Sequence, residues 1–258
     1  MARPHDDAPA CPLCPFRQVC RSAERIAPSQ DPPPRDLCPS RIQLRAGQLL
    51  YQQGRPALAV YPLRKGSIKN MFESSLGWRQ ITSFTLAGDV LGLEAHDSTA
   101  HTTSAIALQD ASCCVVPVES LRMQMRLPEF RAMVLDTLRR NTERERTLLV
   151  AIGSMKAAQR LAMLLLDLAG EHGRRGGGDS LTLAMSRNDI ASYLGLTLET
   201  VSRLLSRFAS AGLITVRHKL LRIVDQGGLA AVYADASHLP DPHGTAARGT
   251  VHASRQAA

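Results

Sequence analysis

Between Arg41 and Pro117 the apolar positions come in short runs, GQLLYQQG, LAVYPLRKGSIKNMF, RQITSFTLAGDVLGL, TTSAIAL and SCCVVPV, punctuated by Gly47, Gly54, Gly66, Gly77, Gly88 and Gly92. Short β-rich runs between turn residues predict an antiparallel barrel or roll over residues 41–126. The period then changes. From Leu127 no glycine appears until Gly153, and Phe130, Val134, Leu138, Asn141, Glu145, Leu148, Ile152 and Met155 follow at intervals of three or four. That spacing predicts one long helix over 127–156. A helix longer than about 25 residues outreaches a small domain, so its stripe predicts a second copy of the chain, with Phe130, Val134, Leu138, Asn141, Glu145, Leu148 and Ile152 at the homodimer interface. Asn141 and Glu145 interrupt the seam, and buried charge is costly, so the pairing is expected to be marginal and switchable.

The loop EHGRRGGGDS marks a flexible joint, and after it comes MSRNDIASYLGLTLETVSRLLSRFASAGLITVRHKLLRIVD. Ser186 with Asp189 three residues on is a capping-box start, Ile190, Ala191 and Leu194 give that helix its inner face, and Gly195 ends it. Thr197 caps a second helix whose Val201, Leu204, Leu205 and Phe208 face inward, leaving Glu199, Thr200, Ser202, Arg203 and Arg207 outside. Two short helices joined at a glycine read as a helix-turn-helix, and LITVRHKLLRIV alternates as a β-hairpin wing whose basic turn, Arg217 to Lys219, suits phosphates. The fold class is thus α+β: a double-stranded, jelly-roll-like β-roll, a long dimerisation helix, and a carboxy-terminal winged helix-turn-helix over 157–228.

The chemistry of the second helix favours double-stranded DNA. Arg bonds guanine O6 and N7 bidentately, Glu accepts from cytosine N4, and Ser bonds either or touches a thymine methyl. Thr197, Glu199, Thr200, Ser202, Arg203 and Arg207 are therefore the expected DNA-binding residues, with Glu199 and Arg203, four apart, pairing with each other when DNA is absent. The formal net charge of +8 over 258 residues agrees with a polyanionic partner. No run of about 18 apolar residues is present to span a bilayer, and MARPHDDAPA lacks the apolar core of a signal peptide, so no membrane partner and a cytoplasmic address are expected. Residues 1–40 are rich in Pro and Cys and read as an arm, because SQDPPPRDLCPS cannot continue a helix. Residues 229–258, poor in large apolar side chains, read as a disordered tail.

LTLETVSRLLSRF, with E-x-x-S-R at Glu199, Ser202 and Arg203, resembles the recognition helix of the fumarate-and-nitrate-reduction (FNR) regulators, a branch of the cyclic-AMP receptor protein superfamily. YPLRKGSIK, QITSFTLAGDVLGL, the long helix and RNDIASYLGLT follow the same family in order, over residues 41–225. The resemblance implies a dimeric transcription regulator that works with RNA polymerase and binds a palindrome of the TTGAT-N4-ATCAA type. Where superfamily members hold a cyclic phosphate with an Arg-Ser/Thr pair this chain has TTSAIA, with Thr103 in the place of the arginine. A buried phosphate would lack its main cation, so no cyclic nucleotide is expected.

Three of the chain's six cysteines, Cys11, Cys14 and Cys20, lie in ACPLCPFRQVC. Their C-x2-C-x5-C spacing is similar to that of oxygen-sensing FNR proteins, and the resemblance implies a [4Fe–4S] cluster with Cys114, in CCVVP, as fourth ligand. Cys113 is its neighbour and points to the other strand face; Cys38 matches no ligand position. The same thiolates also suit a zinc knot, and C-x-x-C suits a reversible thiol switch or inert cysteines. A superfamily member sensing nitric oxide or redox state, through haem or without a cofactor, is the nearest rival regulator. A thiol oxidoreductase is disfavoured, because prolines flank the pair and no βαβ unit surrounds it; neither a Gly-rich nucleotide loop nor H-E-x-x-H occurs. The chain is not expected to be an enzyme. On the cluster reading, residues 11–20 are pinned near Cys114, setting the start of the long helix, until oxygen releases them; Glu145 then opposes dimerisation through like charge.

Overall fold

The computed structural model describes residues 14–17, 40–96 and 99–239. Cys11, Cys20, Cys38, most of the arm and the end of the tail lie outside the described residues. Two compact units divide the chain, one drawn from Met1–Met155 with Thr182–Val201, the other from Lys156–Leu181 with Ser202–Ala258.

Eight strands open the first unit: β1 (Ser40–Leu44), β2 (Leu49–Tyr51), β3 (Ala59–Lys65), β4 (Ser67–Glu73), β5 (Arg79–Leu86), β6 (Val90–Leu91), β7 (Ser104–Ala107) and β8 (Ala111–Pro117). They form two four-stranded antiparallel sheets, β1-β8-β3-β6 and β2-β7-β4-β5. Leu44, Leu63, Ile68, Leu91, Ala105 and Cys113 pack in one core of this roll. The β3–β4 turn depends on Gly66: its φ is +90° and a Cβ there would come within 2.5 Å of the Asp110 carbonyl oxygen, a conformation and an approach open only to glycine.

Helix α1 (Val118–Gln124) leads to α2 (Pro128–Ser154). Pro128 starts α2 because the missing N–H is one the first turn leaves unbonded anyway. The length agrees with the sequence reading, but the phase of the seam does not. Phe130 and Val134 have essentially no exposed surface; with Val60, Val116 and Leu121 they form a second core between α2 and the roll. Leu148 is also buried within the chain. These three positions leave no surface for a partner, whereas Leu135, Leu149, Val150 and Ile152 stand exposed on α2. Arg144 reaches Asp89 of the β5–β6 turn at 3.5 Å and adds a polar tie between helix and roll.

Beyond Met155 come α3 (Ala157–Arg174), β9 (Ser180–Thr182), α4 (Arg187–Leu194), α5 (Leu198–Ser210), β10 (Ile214–Arg217), β11 (Leu220–Ile223) and α6 (Gln226–Ala234). Strands β10, β11 and β9 form a small sheet in that order. Residues 226–234 correct the expectation of a tail starting at 229. Asp225 caps α6 by accepting from Gly228 N–H at 2.8 Å, Leu229 and Val232 are fully buried, and Gln159 of α3 donates to the Tyr233 carbonyl at 3.1 Å. Two large apolar residues three apart were enough to dock one short helix on α3. Among the described residues no helix is long and apolar enough to cross a membrane.

Candidate nucleic-acid interface and cysteine site

The local chemistry of α4 and α5 follows their caps. Ser186 Oγ accepts from Asp189 N–H at 3.1 Å, and the Asp189 carboxylate accepts from Ser186 N–H at 2.9 Å, a reciprocal capping box. Gly195 ends α4 in the left-handed region at φ +62°, and the chain re-enters helix at Thr197, whose Oγ1 accepts from Thr200 N–H at 3.2 Å. On α5, Val201, Leu204, Leu205 and Phe208 are buried. Thr197, Glu199 and Arg203 are exposed, while Thr200, Ser202 and Arg207 are half-buried. The two threonine hydroxyls lie 2.9 Å apart and serve the cap first.

The expected Glu199–Arg203 pair is not formed: among the described residues neither makes an ion pair, and both project into solvent. An exposed i,i+4 pair is worth only about 0.3–0.5 kcal/mol, so little is lost by leaving both side chains in water. In the wing, Arg217 pairs with Leu220 across the β10–β11 hairpin. His218 takes φ 55° in the turn, and Arg217, His218 and Lys219 are all exposed.

Sequence reading missed a set of contacts to α4. Lys69 Nζ of β4 lies 2.6 Å from Asp189, Ile81 N–H of β5 donates to Ser192 Oγ at 3.0 Å, Gln80 donates to the Ser192 carbonyl, and the Phe84 and Tyr193 rings are 4.9 Å apart. Burial of Asp189 works against its ionisation, but the hydrogen bonds from Lys69 and Ser186 and the Lys69 charge outweigh it and hold the carboxyl below its ordinary value. Nothing in the local pattern of β4 or α4 signals a pairing over 120 residues of chain.

The cysteines separate by strand face. Cys113 is buried in the roll's inner core, where burial and then the neighbouring Cys114 push its thiol up to about 12. Cys114 faces the other way, half-buried, and packs against the core formed by Phe16, Phe130 and Val134; Cys14 packs against that same core. Cys14 and Cys114 thus border one core, and Cys113 lies in the other. Among the described residues no group of three or more His, Cys, Asp or Glu forms a metal site.

Inside the roll, Tyr51 and His101 stack at 3.8 Å with rings 10° apart. The His101 Nδ1 faces Glu94 at 3.3 Å, and the Tyr51 phenol bonds Asn70 at 3.2 Å and Thr103. Burial, with the Glu94 charge, raises the Tyr51 phenol far above its ordinary value. The Thr103 side chain is half-buried and committed to this stack.

Residues 159–232 match the family model described as a Crp-like helix-turn-helix domain, and residues 41–126 that of a cyclic nucleotide-binding domain. The chain is 36% identical over 233 residues to the transcriptional regulatory protein Btr of Bordetella pertussis, covering 90% of this chain and 96% of that protein. It is 35% identical over 188 residues to the anaerobic regulatory protein of Haemophilus influenzae, covering 72% and 73% respectively. Among solved structures, FixK2 from Bradyrhizobium japonicum is similar at a TM-score of 0.69 with 29% identity, over 74% of this chain and 96% of that one.

Proposed function

The chain belongs to the CRP/FNR family of DNA-binding transcription regulators and is not an enzyme, and from that premise we propose that it reads a TTGAT-N4-ATCAA-type palindrome as a homodimer and gates that binding by oxygen through a [4Fe–4S] cluster. The observation that supports the sensing reading is that Cys14 and Cys114, distant in the chain, both pack against the core that also buries the start of α2. The residues fit such a group: Cys14 and Cys114 border one core, and Cys113, on the inner face of the roll, is turned away from it. Cys11, Cys14, Cys20 and Cys114 would hold the cluster, one thiolate to each iron. When bound, it supplies an oxygen-labile cross-link between arm and roll. The name of the Haemophilus influenzae relative agrees with anaerobic regulation.

For DNA, Arg203 and Glu199 stand exposed on α5 to read base edges, with Ser202 beside them, and Arg217 and Lys219 of the wing suit phosphates. Two helices α2 pair along Leu135, Leu138, Thr142, Glu145, Leu149 and Ile152, which recur at alternate steps of three and four and leave the buried Phe130, Val134 and Leu148 to the chain's own core. Cyclic nucleotide is not the effector: Thr103 offers a hydroxyl already engaged with Tyr51, and the Glu94 carboxylate beside His101 repels a phosphate. The test is iron and sulfide analysis of anaerobically purified single variants. Cys11→Ser, Cys14→Ser, Cys20→Ser and Cys114→Ser each lose the cluster, whereas Cys38→Ser and Cys113→Ser retain it; a cluster that survives Cys114→Ser but not Cys113→Ser would overturn the ligand assignment.

A further inference from the structure

We propose that Phe16 is the positioning residue that seats the cysteine segment on the roll and ties it to the start of α2. A tight turn closed by Arg17 N–H donating to the Cys14 carbonyl at 3.1 Å presents the Phe16 ring inward, where it has no exposed surface. The ring lies 5.1 Å from that of Phe130, tilted by 47°, in the core shared with Val116 and Val134. Cys14 and Cys114 pack at the edge of the same core. One side chain therefore touches the environment of three parts at once: the segment that carries Cys14, the strand that carries Cys114, and the first turns of the long helix.

This seat is an apolar contact, and none of it passes through a thiolate. A buried phenylalanine takes roughly 150–250 Å² out of water, a driving force that metal ligation neither supplies nor removes. The segment around Cys14 consequently stays docked when the thiolates are unligated. Loss of ligation alters how firmly the ring bears on Phe130 while residues 14–17 keep their seat. The regulatory consequence rests on the cluster reading above; the seat itself does not.

The experiment is site-resolved alkylation by iodoacetamide of the full, reduced chain stripped of metal with a chelator, read by mass spectrometry at Cys14, Cys113 and Cys114. Phe16→Ala raises the rates at Cys14 and Cys114 about tenfold over wild type, because the segment now opens locally. Phe16→Leu, which keeps most of the apolar volume, restores most of the protection, and Cys113, inside the roll, stays protected in every variant. Equal rates at Cys14 in wild type and Phe16→Ala would overturn the proposal. So would a rise at Cys113 matching that at Cys14, since Phe16 would then be an ordinary core residue. Iron analysis of the anaerobically purified protein before the chelator is added reports separately: a chain that carries no iron at that stage yet shows Phe16-dependent protection after stripping sinks the cluster reading and upholds the seat.

Discussion

Arg203 stands exposed on α5 with no ion pair among the described residues to hold it, so its guanidinium reaches a guanine at no cost in broken contacts. Arg203→Ala should therefore lose roughly 1–3 kcal/mol on the cognate palindrome and much less on scrambled DNA in a gel-shift or anisotropy titration; equal losses on both would make Arg203 a phosphate contact only. At this scale the sequence was most legible where a side chain serves its own neighbourhood. Ser186, Asp189, Gly195 and Thr197 announce their caps because the partners lie within three residues. The opposite facing of Cys113 and Cys114 was legible too, since a strand's period is two. Which of the two faces outward came from the resemblance and not from the strand's own pattern, and the structure packs Cys114 against the core of Phe16 and Phe130.

Helix α4 shows how an element carries more than its own pattern discloses. Its Asp189 closes the capping box and also receives Lys69 from β4. Replacing it by Ala should cost about 1–2 kcal/mol in urea unfolding at neutral pH, the worth of a helix cap with its charge partner. The carboxyl is held below its ordinary value of 3.8, so its contribution is complete above that value and fades as the pH falls through the lower, folded-state value. The stability gap between wild type and Asp189→Asn should narrow on acidification below pH about 3.8, and a gap that widened there would contradict the assignment. The length of α2 was legible for a plain reason: a stretch free of glycine between Leu127 and Gly153 carries one unbroken period. Its phase was not. Two apolar stripes lie side by side on it, one through Phe130 and Val134 and one through Leu135 and Leu149, and periodicity alone does not say which the chain keeps for its own core. Helix α6 was missed because it is short and opens on Gly227 and Gly228, both poor helix formers, and because its docking on α3 is a tertiary matter.

On the proposed function, these pieces make a chain of effects from thiol to helix to DNA in the whole molecule. If the outward stripe of α2 is the homodimer seam, Leu149→Asp should shift the protein to monomer in sedimentation velocity and weaken palindrome binding, while leaving the fold intact by circular dichroism, because Leu149 packs against nothing within its own chain that would hold it buried. Glu145, exposed on the same face, places like charges opposite each other across that seam; Glu145→Ala should strengthen the cluster-free dimer by up to about 1 kcal/mol and let it bind DNA in air. The first outcome depends on the seam alone; the second depends also on the central claim, that occupancy of the cysteine site sets the dimer's affinity for DNA. The most direct measurement is a titration of the TTGAT-N4-ATCAA palindrome with one preparation, split and held with and without oxygen, with iron and sulfide assayed in each half. The anaerobic half should carry iron and sulfide and bind at least about tenfold more tightly, the scale of a coupling of roughly 1–3 kcal/mol; equal binding in both halves, with iron absent from each, would contradict oxygen sensing and leave only the DNA-binding regulator.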